Sequence, residues 1–415
     1  MSRPAGQVSG SIERNRLWSR LQHAVTAHEE PLPTPLMVVD LDAFDANADD
    51  LVRRARGLPV RVASKSLRVP ALIRRALAHE GFSGVLAYTL AEALWLEEEG
   101  VTDDLVVAYP TVDRAALTRL VASPAAAGRI TLMVDNPRHL DVIDSVRASH
   151  AVPVRVAIDV DAGLWVGGQH VGPKRSPLHD AGAVLDLART ITERHGFRLV
   201  GVMTYEGQVA GVADDVPSQR AKSAIVRRLK SLSLTQLETR RGEIAAGLRD
   251  LVELEFWNAG GSGSVEATAA DPVVTEIAAG SGLLVPTLFD HYRSFEPRPA
   301  SYFGLPVTRR PSPTIATVHG GGLVASGPIG ADRLPTPWAP AGLHLTGLEG
   351  AGEVQTPLTG RAAAMLEIGD LVWFRHAKSG EPFEHANTVR LLSGAGPDAR
   401  FVEEARTYRG HGLAT

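Results

Sequence analysis

Lys65 offers the most specific chemistry in the chain. It closes the stretch Arg61-Val62-Ala63-Ser64-Lys65, so it sits where a short apolar run ends. A partly buried lysine at such a mouth can present its amine to a carbonyl carbon and form an imine, one of the standard routes of covalent catalysis. From position alone, a surface lysine in a loop fits equally well. Two loops rich in small residues come later: Asn258-Ala259-Gly260-Gly261-Ser262-Gly263-Ser264 and Ala279-Gly280-Ser281-Gly282. Glycines let backbone N–H groups approach phosphate oxygens, and serines add hydroxyl donors. Tight turns use the same residues, so the strands these loops follow decide the matter. Further on, His376 stands in Phe374-Arg375-His376-Ala377-Lys378, with Glu381, Glu384 and His385 close behind. Imidazole and carboxylate together suit a general base or the ligands of a divalent cation.

These residues need a frame, and the hydropathy pattern supplies one. Apolar runs at 36–41, 60–63, 84–88, 105–109, 130–134, 153–158, 199–204, 254–257 and 276–279 alternate with helix-length amphipathic stretches. Most runs are continuous rather than alternating, as in parallel strands covered on both faces. The first is assigned to a strand outside the barrel. The remaining eight predict an α/β fold, a (β/α)8 TIM barrel. A doubly wound sheet is the alternative, but no Gly-x-Gly-x-x-Gly follows the early strands. Residues 1–11 read as a flexible leader, and Ile12, Leu17, Leu21 and Val25 recur at helical spacing before the Pro31–Pro35 break. Beyond Gly280, glycine and proline become frequent. Strand-like pieces at 314–318, 343–346, 371–374 and 388–392 follow one another without helices. The expected domains are therefore 1–35 (leader and helix), 36–289 (barrel) and 290–415 (C-terminal all-β domain).

A barrel of this kind carries its site at the C-terminal ends of its strands and commonly holds phosphate with the loops after strands seven and eight. Those loops are the two glycine–serine segments. Strand one neighbours strand eight in a closed barrel, so Lys65 and both loops can serve one molecule of pyridoxal 5′-phosphate (PLP).

The order of motifs resembles a known group. Pro33-Thr34-Pro35-Leu36, Val39-Asp40-Leu41-Asp42, Asn47, Arg61, Lys65, Pro70, Gly201, Thr204-Tyr205-Glu206-Gly207 and the 260–264 loop are similar, in order and spacing, to the alanine-racemase-type (fold type III) PLP enzymes. Within them, the D-threonine aldolase and D-serine dehydratase branch is the nearest likeness. The resemblance implies that Lys65 carries the cofactor as an imine. It assigns Gly261, Ser262, Gly263 and Ser264 to the phosphate, with Gly280 and Ser281 on its other side. It places Asp159 and Arg175 in the region of an acidic residue and an arginine near the phenolic oxygen, although the insert 164–174 separates them here. Tyr205 is expected to line the cofactor.

The same branch binds a divalent metal through a His followed two residues later by Asp or Cys. His376 matches the first position; Lys378, without a lone pair, stands at the second. Two readings stay open: a metal held by His376 with Glu381, or an ammonium supplying the charge instead. The implied activity is PLP-dependent lyase chemistry on a β-hydroxy-α-amino acid of D configuration, by retro-aldol cleavage or by dehydration, with Lys65 and His376 as the catalytic groups. A PLP-dependent racemase or epimerase is the alternative, and would need a second base such as Tyr292 or Tyr302. Family members commonly form homodimers, so a homodimer is expected.

Composition narrows the field further. Among 415 residues there is no cysteine, which excludes disulfides, Cys–zinc sites and a catalytic thiol. The formal net charge of -4 argues against a nucleic-acid surface. No apolar run reaches the roughly 20 residues that span a bilayer, and no signal-peptide core opens the chain. A cytoplasmic enzyme acting on a small amino acid is the expectation.

Overall fold

All eight runs assigned to the barrel form strands. In the computed structural model, which describes residues 10–148 and 152–413, they are Val60–Ala63, Phe82–Ala87, Leu105–Val107, Ile130–Val134, Val154–Asp159, Phe197–Thr204, Phe256–Ala259 and Glu276–Ala279. Each pairs in parallel with the next, and the last pairs with the first, closing the barrel. Ile130–Val134 is buried along its whole length, which is why its sequence does not alternate. Val106, Met133, Ala157, Val200, Met203 and Phe256, drawn from five strands, pack into one apolar cluster. Residues 1–9 of the expected leader lie outside the described residues.

The run before the barrel strands pairs elsewhere. Leu36–Asp40 is antiparallel to Ser301–Ser312 and parallel to Thr388–Ser393, within a nine-stranded sheet. The expected C-terminal strands appear as Ile315–His319, His344–Leu345, Leu371–Arg375 and Thr388–Ser393. Four more were not anticipated: Ser301–Ser312, Thr336–Ala339, Gln355–Thr359 and Arg400–Arg406. All four carry prolines or charges that mask the strand pattern. The helix Ser11–Thr26 covers this sheet. Its Leu21 and Ala24 are buried with Leu36, Val38, Tyr302 and Trp373, and Trp18 Nε1 donates to Leu371 O at 3.0 Å. Arg20 pairs with Asp40 and donates to Gly394 O at 2.7 Å.

The compact units are therefore not consecutive stretches of chain. One comprises 1–49, 66–72 and 281–415; the other comprises 50–65 and 73–280 and contains the whole barrel. Residues 36–49 fall in the first unit because their strand is hydrogen-bonded into its sheet. The chain passes between units immediately after Lys65 and again after Gly280, so both sequence landmarks lie at unit boundaries.

Charge is also buried among the barrel strands. Arg61, on the first strand, donates to Glu276 Oε1 at 2.8 Å and Oε2 at 2.7 Å, and to Asp104 Oδ2 at 2.9 Å. Asn258 Nδ2 adds a bond to Glu276 at 2.8 Å. Glu276 is thus held by its neighbours and not directed to a ligand. Removing the guanidinium would strand a buried carboxylate. We expect Arg61→Leu to destabilise the fold by about 3–5 kcal/mol, read as a lowered midpoint in urea unfolding.

Candidate active site

Within the barrel unit, the chemically active side chains gather just beyond the strand ends. Lys65 lies two residues past the first strand, in the single turn Ser64–Ser66. It is exposed, where the sequence suggested partial burial. Its Nζ donates to the hydroxyl of Tyr109 at 3.1 Å, two residues past the third strand. The Arg175 guanidinium lies over the rings of Tyr109, at 5.6 Å, and Tyr205, at 5.5 Å. Asp159, Tyr109, Arg175 and Tyr205 line a common cleft.

The insert between Asp159 and Arg175 folds back on itself, so it does not part them. Leu164–Val166 and Gln169–Val171 pair as a hairpin. Gln236 brackets the backbone of Trp165 with two bonds of 2.9 Å. His170 Nε2 sits 2.9 Å from Asp161 Oδ2. A Cβ on Gly163 would lie 2.2 Å from that nitrogen, which explains the glycine. The chain then returns to the strand: Ser176 Oγ donates to Asp159 O at 2.7 Å, and Asp161 N to Leu178 O at 2.8 Å.

The cleft perturbs its own titratable groups. Burial, then the negative charge of Asp135, raises Asp159 to about 7, against a lowering pull from Arg175. Burial works to raise Tyr109, but Lys65, by charge and hydrogen bond, and Arg175 outweigh it and hold the phenol below its ordinary value. Tyr205 is pushed up, chiefly by burial. The cleft therefore holds a carboxyl that keeps its proton up to neutrality and a phenol eased toward ionisation.

The 260–264 loop is built on a carboxylate that the sequence did not single out. Glu206 is fully buried. It accepts from Gly260 N at 3.2 Å, from Ser264 Oγ at 3.1 Å and from Thr268 Oγ1. Arg241 neutralises it at 3.0 Å, while also reaching Asp271 at 3.0 Å and Thr204 Oγ1 at 2.9 Å. Gly260 has φ +80°, and a Cβ on Gly261 would meet Ala210 Cβ at 2.9 Å and Tyr205 Cε2 at 3.4 Å. Glycine is needed at both positions, and the loop lies against Tyr205. The Ser264 hydroxyl is engaged inside the loop, with Glu206 and Gly261 O. Ser262 is buried, and its carbonyl accepts from Arg54 at 2.8 Å. This cradle of tight glycines, with an amine, an arginine and two phenols at the same barrel mouth, fits a phosphorylated pyridine aldehyde.

The other unit holds the remaining expected residues. Ser281 Oγ lies 3.1 Å from Ser66 Oγ, and Ser379 Oγ donates to Ser281 O at 3.4 Å. His376 follows the strand Leu371–Arg375 and is buried, with Nδ1 2.8 Å from Lys378 O, to which it donates in the tautomer that leaves Nε2 its lone pair. Burial holds its imidazole below the ordinary value. Glu381 does not join it as a ligand pair. Ser326 donates to both Glu381 oxygens, N to Oε2 at 2.9 Å and Oγ to Oε1 at 2.6 Å, and Lys378 Nζ stands 3.3 Å from Oε1. Burial works to raise Glu381, but the Ser326 bonds and the Lys378 charge outweigh it and hold the carboxyl down. Glu384 pairs with Arg68. Among the described residues no group of three or more His, Asp or Glu converges on a metal position, so the donor set does not fit a divalent ion.

Tyr109 was within reach of the sequence, since it ends the run 105–109. Glu206 directly follows Tyr205 and was legible only as a neighbour. Nothing local marks Arg241 or Ser326, which come from distant segments.

One measurement tests the cleft's electrostatics. The folded chain keeps a proton on Asp159 between its ordinary 3.8 and about 7, while the unfolded chain releases it. That stabilisation is full below the lower value and is lost as pH rises through the upper one. Asp159→Asn should therefore flatten the decline of melting temperature across this window.

The fold agrees with comparisons to known proteins. The model of the alanine racemase N-terminal domain matches residues 39–283. A D-threonine aldolase from Arthrobacter sp is 25% identical over 250 residues, which is 60% of this chain and 60% of that relative. The match thus spans less than two thirds of the relative's length. Among solved structures, D-threonine aldolase from Filomicrobium marinum superposes with TM-score 0.74 at 21% identity, covering 91% of this chain and 95% of that one. D-threo-3-hydroxyaspartate dehydratase from Delftia sp. HT23 gives 0.66 at 20% identity, with 91% and 97% covered. A metal-free form of a cysteine-to-alanine variant of that dehydratase gives 0.67 at 20% identity, with the same coverage. At these identities the structures speak for the fold, and the matched domain, well over half of the chain, settles the wider assignment: the chain belongs to the alanine racemase N-terminal domain family, the fold type III PLP enzymes.

Proposed function

We propose that this chain is a PLP-dependent lyase acting on a β-hydroxy-α-amino acid of D configuration. The observation that carries the reading is the group at the barrel mouth: Lys65 on the Tyr109 hydroxyl, with Arg175 over Tyr109 and Tyr205. When bound, PLP supplies an electron sink for negative charge at the amino acid's Cα. Lys65 Nζ is assigned to its aldehyde carbon, and Ser262, Gly263 and Gly280 to its phosphate. Ser264 supports the phosphate loop through Glu206. Arg175 and Tyr205 are assigned to the ring. With Asp159 mainly protonated below neutrality, the charge of Arg175 is there left uncancelled by that carboxyl and available to an anionic oxygen.

His376 is assigned as the base for the β-hydroxyl, since burial keeps its imidazole neutral and able to accept a proton. In cleavage, that proton leaves the oxygen, its electrons form the aldehyde C=O, and the Cα–Cβ electron pair passes to Cα, which is then protonated. In dehydration, Lys65 Nζ takes the Cα proton and hydroxide departs from Cβ, leading to a 2-oxo acid and ammonia. Cleavage is the preferred course, because hydroxide loss needs strong acid or metal assistance. The racemase alternative lacks a second base among its named candidates. Tyr302 is buried, donates to Pro299 O at 2.7 Å and is driven up by burial. Tyr292 is buried and stacks on Phe289 at 5.0 Å.

Borohydride reduction of the holoenzyme and peptide mapping should mark Lys65, and Lys65→Ala should lose the visible absorbance band. Label on another lysine would overturn the cofactor assignment. With D-threonine the expected products are glycine and acetaldehyde; L-allo-threonine, its Cα epimer, as the sole product would transfer the chain to the racemases. His376→Ala should reduce kcat by about 10²–10⁴-fold while the PLP absorbance persists, and near-full activity would remove the base from this scheme.

A further inference from the structure

The family position that pairs a histidine with an acidic or thiol ligand two residues later carries Lys378 here, and its neighbours are arranged around an ammonium. Lys378 Nζ donates to Ser326 Oγ at 2.6 Å and stands 3.3 Å from Glu381 Oε1. Ser326 closes the ring by donating to both oxygens of Glu381. The carboxylate that sequence reasoning offered to a cation is thus already occupied by one cation and two hydrogen bonds. His376 spends Nδ1 on the Lys378 backbone, which leaves Nε2 as the one lone pair this imidazole can offer. One nitrogen beside a positive charge is a poor divalent site, because the ammonium gives no lone pair and repels the ion.

We propose that the Lys378 ammonium, clamped by Glu381 and Ser326, stands in for a divalent ion, so that this chain operates without a metal. The kinetic consequence rests on the lyase reading; the ion-binding consequence does not.

The test uses the purified PLP-loaded protein. Elemental analysis after dialysis should find no stoichiometric divalent metal, Mn2+ or Zn2+ should leave the melting temperature unshifted, and chelator should leave turnover unchanged. Lys378→Asp removes the repulsion and adds a ligand beside His376. It should gain a saturable upward shift with Mn2+ or Zn2+, and a second change, His376→Ala, should abolish that shift. If the aspartate variant does not fold, Lys378→Gln, which is one atom shorter and neutral but keeps a donor group, should gain a smaller shift by removing the charge beside Glu381. A stoichiometric ion in the unaltered protein that is lost on His376→Ala would overturn the proposal. So would Lys378 variants that fold and bind no ion. Absence of any lyase product alongside the expected ion results would remove the lyase reading and leave this one standing.

Discussion

The barrel mouth depends on one buried carboxylate. Glu206 has no exposed surface, and leaving it unpaired would cost several kcal/mol. Arg241 neutralises it, and its remaining capacity goes to Gly260 N, Ser264 and Thr268. The 260–264 segment thereby becomes a fixed cradle instead of a flexible glycine loop. Arg241 is fixed in turn by Thr204 at the end of the sixth strand and by Asp271. A single ion pair thus couples the sixth strand, the long helix Arg220–Arg249 and the loop after the seventh strand.

Buried charge is used differently at different depths. Arg61 and Glu276 satisfy each other among the strands and leave nothing for a ligand. Asp159, at the mouth, is buried beside Asp135 and Asp161 and answers by keeping its proton. Lys65 and Arg175 remain exposed at the rim, against phenols. The gradient runs from compensated charge inside to available charge at the opening, the arrangement that recognition of an anionic cofactor and an amino acid requires.

In the sheet unit the same economy of charge gives another result. Lys378, Glu381 and Ser326 satisfy one another, so donors that look like metal ligands in sequence are internally consumed. Burial holds the His376 imidazole below its ordinary value, against a raising pull from its hydrogen bond to the backbone two residues on.

The barrel was legible in the sequence because strands covered on both faces must be apolar throughout, and that continuous signal survives without tertiary information. Lys65, Tyr205 and the glycine loops were legible because strand ends are where a barrel exposes chemistry. The strand Ser301–Ser312 was missed, since its prolines and arginines hide the pattern of a strand held by neighbours on both sides. Tertiary structure alone decided the rest. The hairpin of 164–171 brings Arg175 back over Tyr109 and Tyr205. Arg241 reaches Glu206 across 35 residues of chain. Ser326 closes on Glu381 from 55 residues away. Sequence spacing reports which face of an element is apolar, but a charge is satisfied by whichever partner folding delivers, and that partner has no fixed place along the chain.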